Sequence, residues 1–259
     1  MDKETKNIAL AAKAGGQVLQ KYFGQQLDVQ IKTVAADFVT LADTEAEAVI
    51  IESLEQNFPD YNIDSEEKGL IDKGSDYTFV IDPLDGSNNF VCGFPNFSIA
   101  IALVNKTKLE YGAVYVPLTD QLYWAARGQG AFLGERQLKV SQTTQAKLAT
   151  VAVGLGYNSI PVRGKIYAQL DQMNCKRVLN GWCSALEHGV MAAGNIDLAM
   201  QYKAEACDFL AGKIIMREAG AIITDLEGNE EGNDLNNNFV AAATRELLDE
   251  FLAKTNFDF

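Results

Sequence analysis

Four acidic segments carry the residue types that could do chemistry: Asp37-Phe38-Val39-Thr40, Asp64-Ser65-Glu66-Glu67, Asp82-Pro83-Leu84-Asp85-Gly86-Ser87 and Cys207-Asp208. Hard divalent cations such as Mg2+ take oxygen ligands, usually a few carboxylates together with substrate phosphate oxygens. The third segment says most. The run Tyr77–Ile81 reads as a strand that delivers Asp82 at its end, where open sheets place ligand sites. Pro83 fixes one backbone angle, Gly86 permits a close or strained approach, and two carboxylates three apart across such a turn can point at one spot. Gly86-Ser87-Asn88 could then open a short helix whose amides suit a phosphate. Asp, Pro and Gly are also ordinary turn residues, so this segment alone leaves a cation site and a polar turn equally open. Glu66-Glu67 beside Lys68 reads as a solvated charged face. Asp43 reads as a helix N-cap and Asp208 as an acid at a helix start.

Something must position these groups. Apolar spacing predicts a helix over Thr5–Phe23, through Ile8, Ala11, Ala12, Val18, Leu19, Tyr22 and Phe23. It predicts a second over Thr44–Phe58, ending at Asn57 ahead of Pro59. Strands are expected at Leu27–Ile31, Asn62–Asp64 and Tyr77–Ile81. Four or more follow within Phe97–Val140, joined at Gly112, Gly128, Gly130 and Gly134. The rest alternates: strand Thr150–Val153, helices Val162–Gln172 and Cys183–Ala193, strand Ile196–Met200, helix Cys207–Ala219. Strands Ala221–Thr224 and Asn238–Ala242 and a last helix complete it. Gly128–Gly134 has the wrong spacing for a dinucleotide loop and reads as hairpin turns. The mixture predicts a layered α/β or α+β fold in two parts, 1–145 and 146–259.

Composition excludes several function classes. A formal net charge of −13 argues against nucleic acid, which needs clustered Lys and Arg, and against an anionic membrane surface. An anionic substrate stays open, because bound divalent cations invert the local field. The polar opening Met1–Asn7 is no signal peptide, and no apolar run is long enough to span a bilayer. The four cysteines (Cys92, Cys175, Cys183 and Cys207) lack CxxC spacing, which points to free thiols in the cytoplasm. The single histidine, His188, makes a zinc hydrolase or a Ser-His-Asp triad a poor fit and reads as a helix-packing residue.

Taken in order, Asp37-x-x-Thr40, the Glu66-Glu67 pair, Asp82-Pro-Leu-Asp85-Gly-Ser-x-Asn89-Phe90 and Asp208 opening a helix that ends Glu218-Ala219-Gly220 make a specific combination. It resembles the lithium-sensitive, magnesium-dependent phosphatase superfamily. The Asn89-Phe90 ending and Gly93-Phe94-Pro95-Asn96-Phe97-Ser98 are similar to its inositol monophosphatase family, over roughly Leu27 to Thr224. The resemblance implies an α+β fold, a layered α-β-α-β-α sandwich commonly found as a homodimer. It implies a Mg2+-dependent phosphomonoesterase acting on a small phosphate ester, with lithium inhibition. By resemblance, Glu66, Asp82 and the Leu84 carbonyl hold a first Mg2+; Asp82, Asp85 and Asp208 hold a second; Glu66 helps place a third. Asp37 and Ser87 orient the attacking water, and the Gly86 and Ser87 amides hold phosphate. The first part would supply most metal ligands, the second Asp208 and substrate contacts.

The departures from the family pattern lie mostly on the substrate side. Ser87 stands where the family usually has Thr and keeps the hydroxyl. Cys207 replaces a packing Trp, Leu210 is bulkier than the customary Ala, and Trp182 intrudes where the substrate lies. Gln201 takes the place of an acid that bonds substrate hydroxyls. The resemblance implies inositol monophosphate or a similar polyol or sugar phosphate as substrate. Trp182 and Gln201 motivate fructose 1,6-bisphosphate, histidinol phosphate or a 3′-phosphonucleotide as alternatives, and Cys207 with the altered substrate region motivates a non-catalytic ligand-binding relative.

Overall fold

The structure is a computed structural model that describes residues 3–257. The first apolar stripe folds as α1 (Lys3–Tyr22), burying Ile8, Ala11, Ala12 and Leu19. Met1 and Asp2 of the charged opening lie outside the described residues. Next comes a small hairpin, β1 (Gln30–Ile31) and β2 (Phe38–Val39), so only the last two residues of the strand expected at Leu27–Ile31 pair. α2 (Leu41–Asn57) starts before Thr44 because Thr40, not Asp43, is its N-cap. The Thr40 hydroxyl accepts from the Ala42 N–H, and Asp43 accepts the Thr40 N–H in return, a reciprocal capping box.

An eight-stranded sheet follows. In chain order its strands are β3 (Asn62–Ser65), β4 (Gly69–Ile71), β5 (Tyr77–Asp85), β6 (Ser98–Asn105), β7 (Lys108–Val116), β8 (Gln121–Ala126), β9 (Gly130–Leu133) and β10 (Arg136–Gln137), with α3 (Ser87–Val91) after β5. Across the sheet they run β10-β9-β8-β7-β6-β5-β3-β4. β5 does not stop at Ile81 as expected. It continues to Asp85, its register against β6 slipping between Asp82 and Asp85, where Pro83 has no N–H to give the ladder. The glycines at 128, 130 and 134 have φ of 73°, 84° and 59° and make the turns around β9.

The second sheet and its helices are β11 (Thr150–Leu155), α4 (Arg163–Gln172), β12 (Arg177–Leu179), α5 (Ser184–Ala192), β13 (Leu198–Tyr202), α6 (Ala206–Glu218), β14 (Ile222–Asp225), β15 (Asn238–Ala242) and α7 (Arg245–Lys254). Its order is β12-β11-β13-β15-β14.

Strand alternation gives each sheet two apolar faces, and each must be covered. Phe79, Ile81, Ile99, Ile101 and Ala113 pack under α1 and α2. Val80, Ala100, Ala102 and Val114 point the other way, into a core shared with Met191, Leu210, Ile214, Ala199 and Ala241 from α5, α6 and the second sheet. The outer face of that sheet, Val151, Val153, Met200 and Val240, meets Ile166, Leu170, Leu247 and Phe251 of α4 and α7. The layers are therefore α-β-α-β-α. α6 crosses β7 at close range: a Cβ at Gly112 would sit 2.4 Å from the Ala211 carbonyl oxygen, so only glycine fits there.

Candidate functional site

Parallel pairing of β3 with β5 sets Ser65 opposite Ile81, so the chain leaves β3 beside Asp82. The Glu66 N–H donates to the Ile81 carbonyl at 3.1 Å. Glu47 of α2 fixes the turn, its Oε1 accepting the Glu67 and Lys68 N–H groups at 3.0 Å each. Asp82 Oδ1 accepts the Leu84 N–H at 2.9 Å. Asp85 is seated on the start of α5: Oδ1 accepts the Ser184 N–H at 3.1 Å, and Oδ2 accepts the Ala185 N–H and the Ser98 hydroxyl at 3.0 Å each. The Cys183 thiol reaches the same Oδ2 at 3.1 Å. Asp208 is the third residue of α6, where its Oδ2 takes the Glu205 N–H at 3.0 Å, so Glu205 and not Asp208 is the cap.

Burial, and after it the neighbouring carboxylates, sets the electrostatics of this cluster. Burial pushes the Asp82 carboxyl well up, and Glu66, Asp85 and Asp208 push it further. Asp208 is raised by burial and then by Asp85 and Glu66. Asp85 is raised by burial to about 6, the donors from Cys183, Ser98 and α5 offsetting part of the rise. Three buried carboxyls, Asp82, Asp85 and Asp208, with Glu66 beside them, form an oxygen donor set suited to hard divalent cations. The residues present fit Mg2+.

A cation of the chain's own also reaches the cluster. Lys32 Nζ lies 2.8 Å from both Glu66 and Glu67 and 3.6 Å from Asp37. Burial alone would lower its pKa, but Glu66 and Glu67 raise it above the ordinary lysine value. The hairpin that carries Lys32 is pinned over the site, with the Asn88 amide and the Tyr157 hydroxyl both donating to the Ala36 carbonyl, at 2.7 and 2.9 Å. Lys32 was not singled out in the sequence, because a lone lysine in a short polar stretch shows no periodicity. Asp37 also lies in this hairpin, its carboxylate held by the Thr33 hydroxyl and facing Lys32. Asp43, dismissed as a cap, is buried with its carboxyl raised to about 6, by burial first and with a contribution from Glu66.

Gly86 sits at φ 93°, and a Cβ there would meet the Asn96 carbonyl at 2.8 Å and the Trp182 carbonyl at 3.2 Å, so the loop before Ser87 requires glycine. Trp182 is 60% exposed, with φ 53°. Its neighbour Gly181 accepts from the Asn89 amide at 2.7 Å, tying this segment to α3. Gln201 lies elsewhere. It is 0% exposed on the inner face of β13, with both amide atoms unpartnered, and a Cβ at Gly154 would strike it. Burial between the second sheet and the α5–α6 layer, not the substrate mouth, is where the structure puts Gln201. His188 is buried against Gly212, and burial lowers its pKa to about 3, as suits a packing residue. Cys207 is the remaining surprise: its Sγ and carboxylate oxygens of Glu66 and Asp82 all lie within 4.8 Å of one another.

The sequence model of the inositol monophosphatase family matches residues 1–257. The chain belongs to the inositol monophosphatase family. Within it, the chain is 33% identical to the Nus factor SuhB of Pasteurella multocida over 96% of this chain and 94% of that one. It is also 33% identical to the fructose-1,6-bisphosphatase/inositol-1-monophosphatase of Thermotoga maritima, over 93% and 91%. Among solved family structures, the extragenic suppressor protein suhB of Bartonella henselae superimposes with a TM-score of 0.91 at 28% identity, covering 100% of both chains. The Thermotoga maritima IMPase gives 0.86 at 31% identity, covering 98% of this chain and 96% of that one. The layered α+β architecture is thus the one this family shares with fructose-1,6-bisphosphatase-type proteins. Among the described residues, no helix is long and apolar enough to cross a membrane.

The raised carboxyls set a pH dependence. An acid whose folded-state pKa is raised keeps a proton that the unfolded chain has released, so stability falls as pH rises towards the folded pKa. Asp43 and Asp85 at about 6, Glu67 at about 7 and Glu187 at about 8 place that window between roughly pH 4 and 8. In chelator, the thermal midpoint is expected to fall across that range. Mg2+ at about 100 times its Kd should restore about 2.7 kcal/mol. A metal-free midpoint that rises towards pH 8 would contradict the assignment.

Proposed function

We propose that the chain is a Mg2+-dependent phosphomonoesterase acting on inositol monophosphate or a similar polyol or sugar phosphate, in the cytoplasm and as a homodimer. The observation that carries this reading is the convergence of Glu66, Asp82, Asp85 and Asp208 into one carboxylate cluster beside the Gly86 turn, in which burial and the neighbouring carboxylates raise Asp82 and Asp208. Glu66, Asp82 and the Leu84 carbonyl would hold one Mg2+; Asp82, Asp85 and Asp208 a second; Glu66 would help with a third. Bound, these ions would lower the pKa of a water and offset negative charge on the departing alkoxide.

The chain's own residues do the positioning. The Gly86 and Ser87 amides would hold the phosphate, and the Ser87 hydroxyl would orient the water together with a carboxylate. That carboxylate is better drawn from Asp43 than from Asp37. Both are buried and hydrogen-bonded, Asp37 by Thr33 and Asp43 by Thr40, but Asp37 also faces the Lys32 ammonium, whereas burial raises the Asp43 carboxyl to about 6, near the range a general base needs. Lys32 compensates charge on Glu66 and Glu67 from the hairpin.

Trp182 is the residue we assign to substrate selection. A non-glycine residue at φ 53° costs about 1–2 kcal/mol, and strain of this kind gathers at functional sites. An exposed indole held there, beside the segment that binds α3, forms a wall for the alcohol portion of the ester.

The test is phosphate release from inositol monophosphate, fructose 1,6-bisphosphate, histidinol phosphate and a 3′-phosphonucleotide, with Mg2+ and again with EDTA. Chelator-sensitive release is expected, and Trp182→Gly should reorder the substrates by kcat/KM. A second reading follows from the relatives named as Nus factors: a member that acts through binding a partner. Bound Mg2+ without turnover on any ester would favour it.

A further inference from the structure

We infer that the Cys207 thiol is an additional protein donor at this centre, forming with Glu66 and Asp82 a mixed sulfur–oxygen site for a borderline or soft divalent cation such as Zn2+, Co2+ or Cd2+. This rests on reading the carboxylate cluster as a metal centre. Three donor atoms from three separate places in the chain, the turn after β3, β5 and the first turn of α6, lie within 4.8 Å of one another. Cys207 is a free thiol, 9% exposed, and among the described residues no hydrogen bond engages its Sγ. Cys183 differs: its thiol is occupied by Asp85 and lies within 3.5 Å of the Ser98 hydroxyl. Cys207 sits at the edge of the apolar core, and its Sγ faces two carboxylates with no hydrogen bond competing for it.

The donor chemistry then decides which ion it favours. All-oxygen sets suit Mg2+, Ca2+ and Mn2+, and a thiolate shifts preference to softer ions. Asp82 is buried while the Glu66 side chain stays partly open, which leaves a route in and a position for water. Binding exchanges one proton for the metal: the Cys207 S–H bond breaks, the sulfur–metal bond forms, the proton leaves to solvent, and no electron changes hands.

The test titrates the intact, reduced, chelator-treated protein with Cd2+ and follows thiolate-to-metal charge-transfer absorption in the ultraviolet. The wild type, Cys207→Ser and Cys183→Ser are compared, with Mg2+ affinity measured on each by calorimetry. The expected result is a band saturating at one equivalent in wild type and Cys183→Ser. Cys207→Ser should lose it, with Cd2+ affinity down about tenfold or more and Mg2+ affinity little changed. A band that survives in Cys207→Ser, or that vanishes in Cys183→Ser instead, overturns the inference. Mg2+ binding with no Cd2+–thiolate band in wild type rejects the sulfur donor alone. Failure to bind either ion rejects the metal centre as well.

Discussion

Asp82→Asn is expected to abolish phosphate release while making the metal-free protein more resistant to heat. Asp82 is 2% exposed and carries repulsion from Glu66, Asp85 and Asp208. Removing its charge relieves that repulsion in the metal-free fold, and the Asn carbonyl can still accept the Leu84 N–H that Asp82 now holds at 2.9 Å. The same change removes a donor shared by two of the three proposed Mg2+ sites. A loss of at least about 100-fold in kcat/KM is expected, equivalent to about 2.7 kcal/mol of transition-state stabilisation. The two readouts should move in opposite directions, the usual exchange of stability for function at a strained site. A purely structural Asp82 would lower the thermal midpoint. Both measurements on one preparation, in EDTA and in Mg2+, separate the cases.

Lys213→Met should give the largest loss of stability. Lys213 is 0% exposed inside α6, with Nζ 2.8 Å from Glu231 and 2.9 and 3.1 Å from the Asn236 and Asp234 carbonyls. It also lies 4.3 Å from the centre of the Phe239 ring. Burial lowers its pKa to about 8, with Glu231 opposing. Methionine nearly matches the volume but removes the cation paired with Glu231, whose side chain is 3% exposed and keeps a 3.1 Å hydrogen bond from the Asn236 amide and a 3.7 Å contact with Arg217. Breaking a buried pair from one side costs about 3–5 kcal/mol, which for a protein of this size is roughly 6–20 °C in Tm. Lys213→Met with Glu231→Leu should recover much of that. If the double variant is no better than the single one, the stranded charge is not the cause.

The long amphipathic elements were legible because their periodicity is local. α1 and α2 follow from apolar spacing, and the strand Asn238–Ala242 was read end to end. β4 and β12, three residues each, are too short to show a period. β5 was cut at Ile81 because Asp-Pro reads as a turn, whereas pairing with β6 carries the strand to Asp85. Asp43 shows a different limit: helix capping and acid chemistry use the same residue type, and only its burial and the nearby Glu66 tell them apart. Lys32 meets Glu66 across 34 residues of sequence, and Cys207 meets Asp82 only because α6 crosses the sheet. No short-range pattern encodes either meeting. The inward aim of Gln201 was available, since it alternates with Leu198, Met200 and Tyr202, which pack on the opposite face.

The shared middle layer has a consequence for synthesis on the ribosome. α1 and α2 precede the eight-stranded sheet, so one of its faces can be covered as soon as its strands emerge. The opposite face waits for α5 and α6, and α6 ends at Glu218, roughly 80 residues after β10 finishes at Gln137. At about 5–20 residues per second, a broad apolar sheet face on the nascent chain stays bare for about 4–16 s. That interval, rather than any weakness of the finished fold, is when this polypeptide most needs a chaperone.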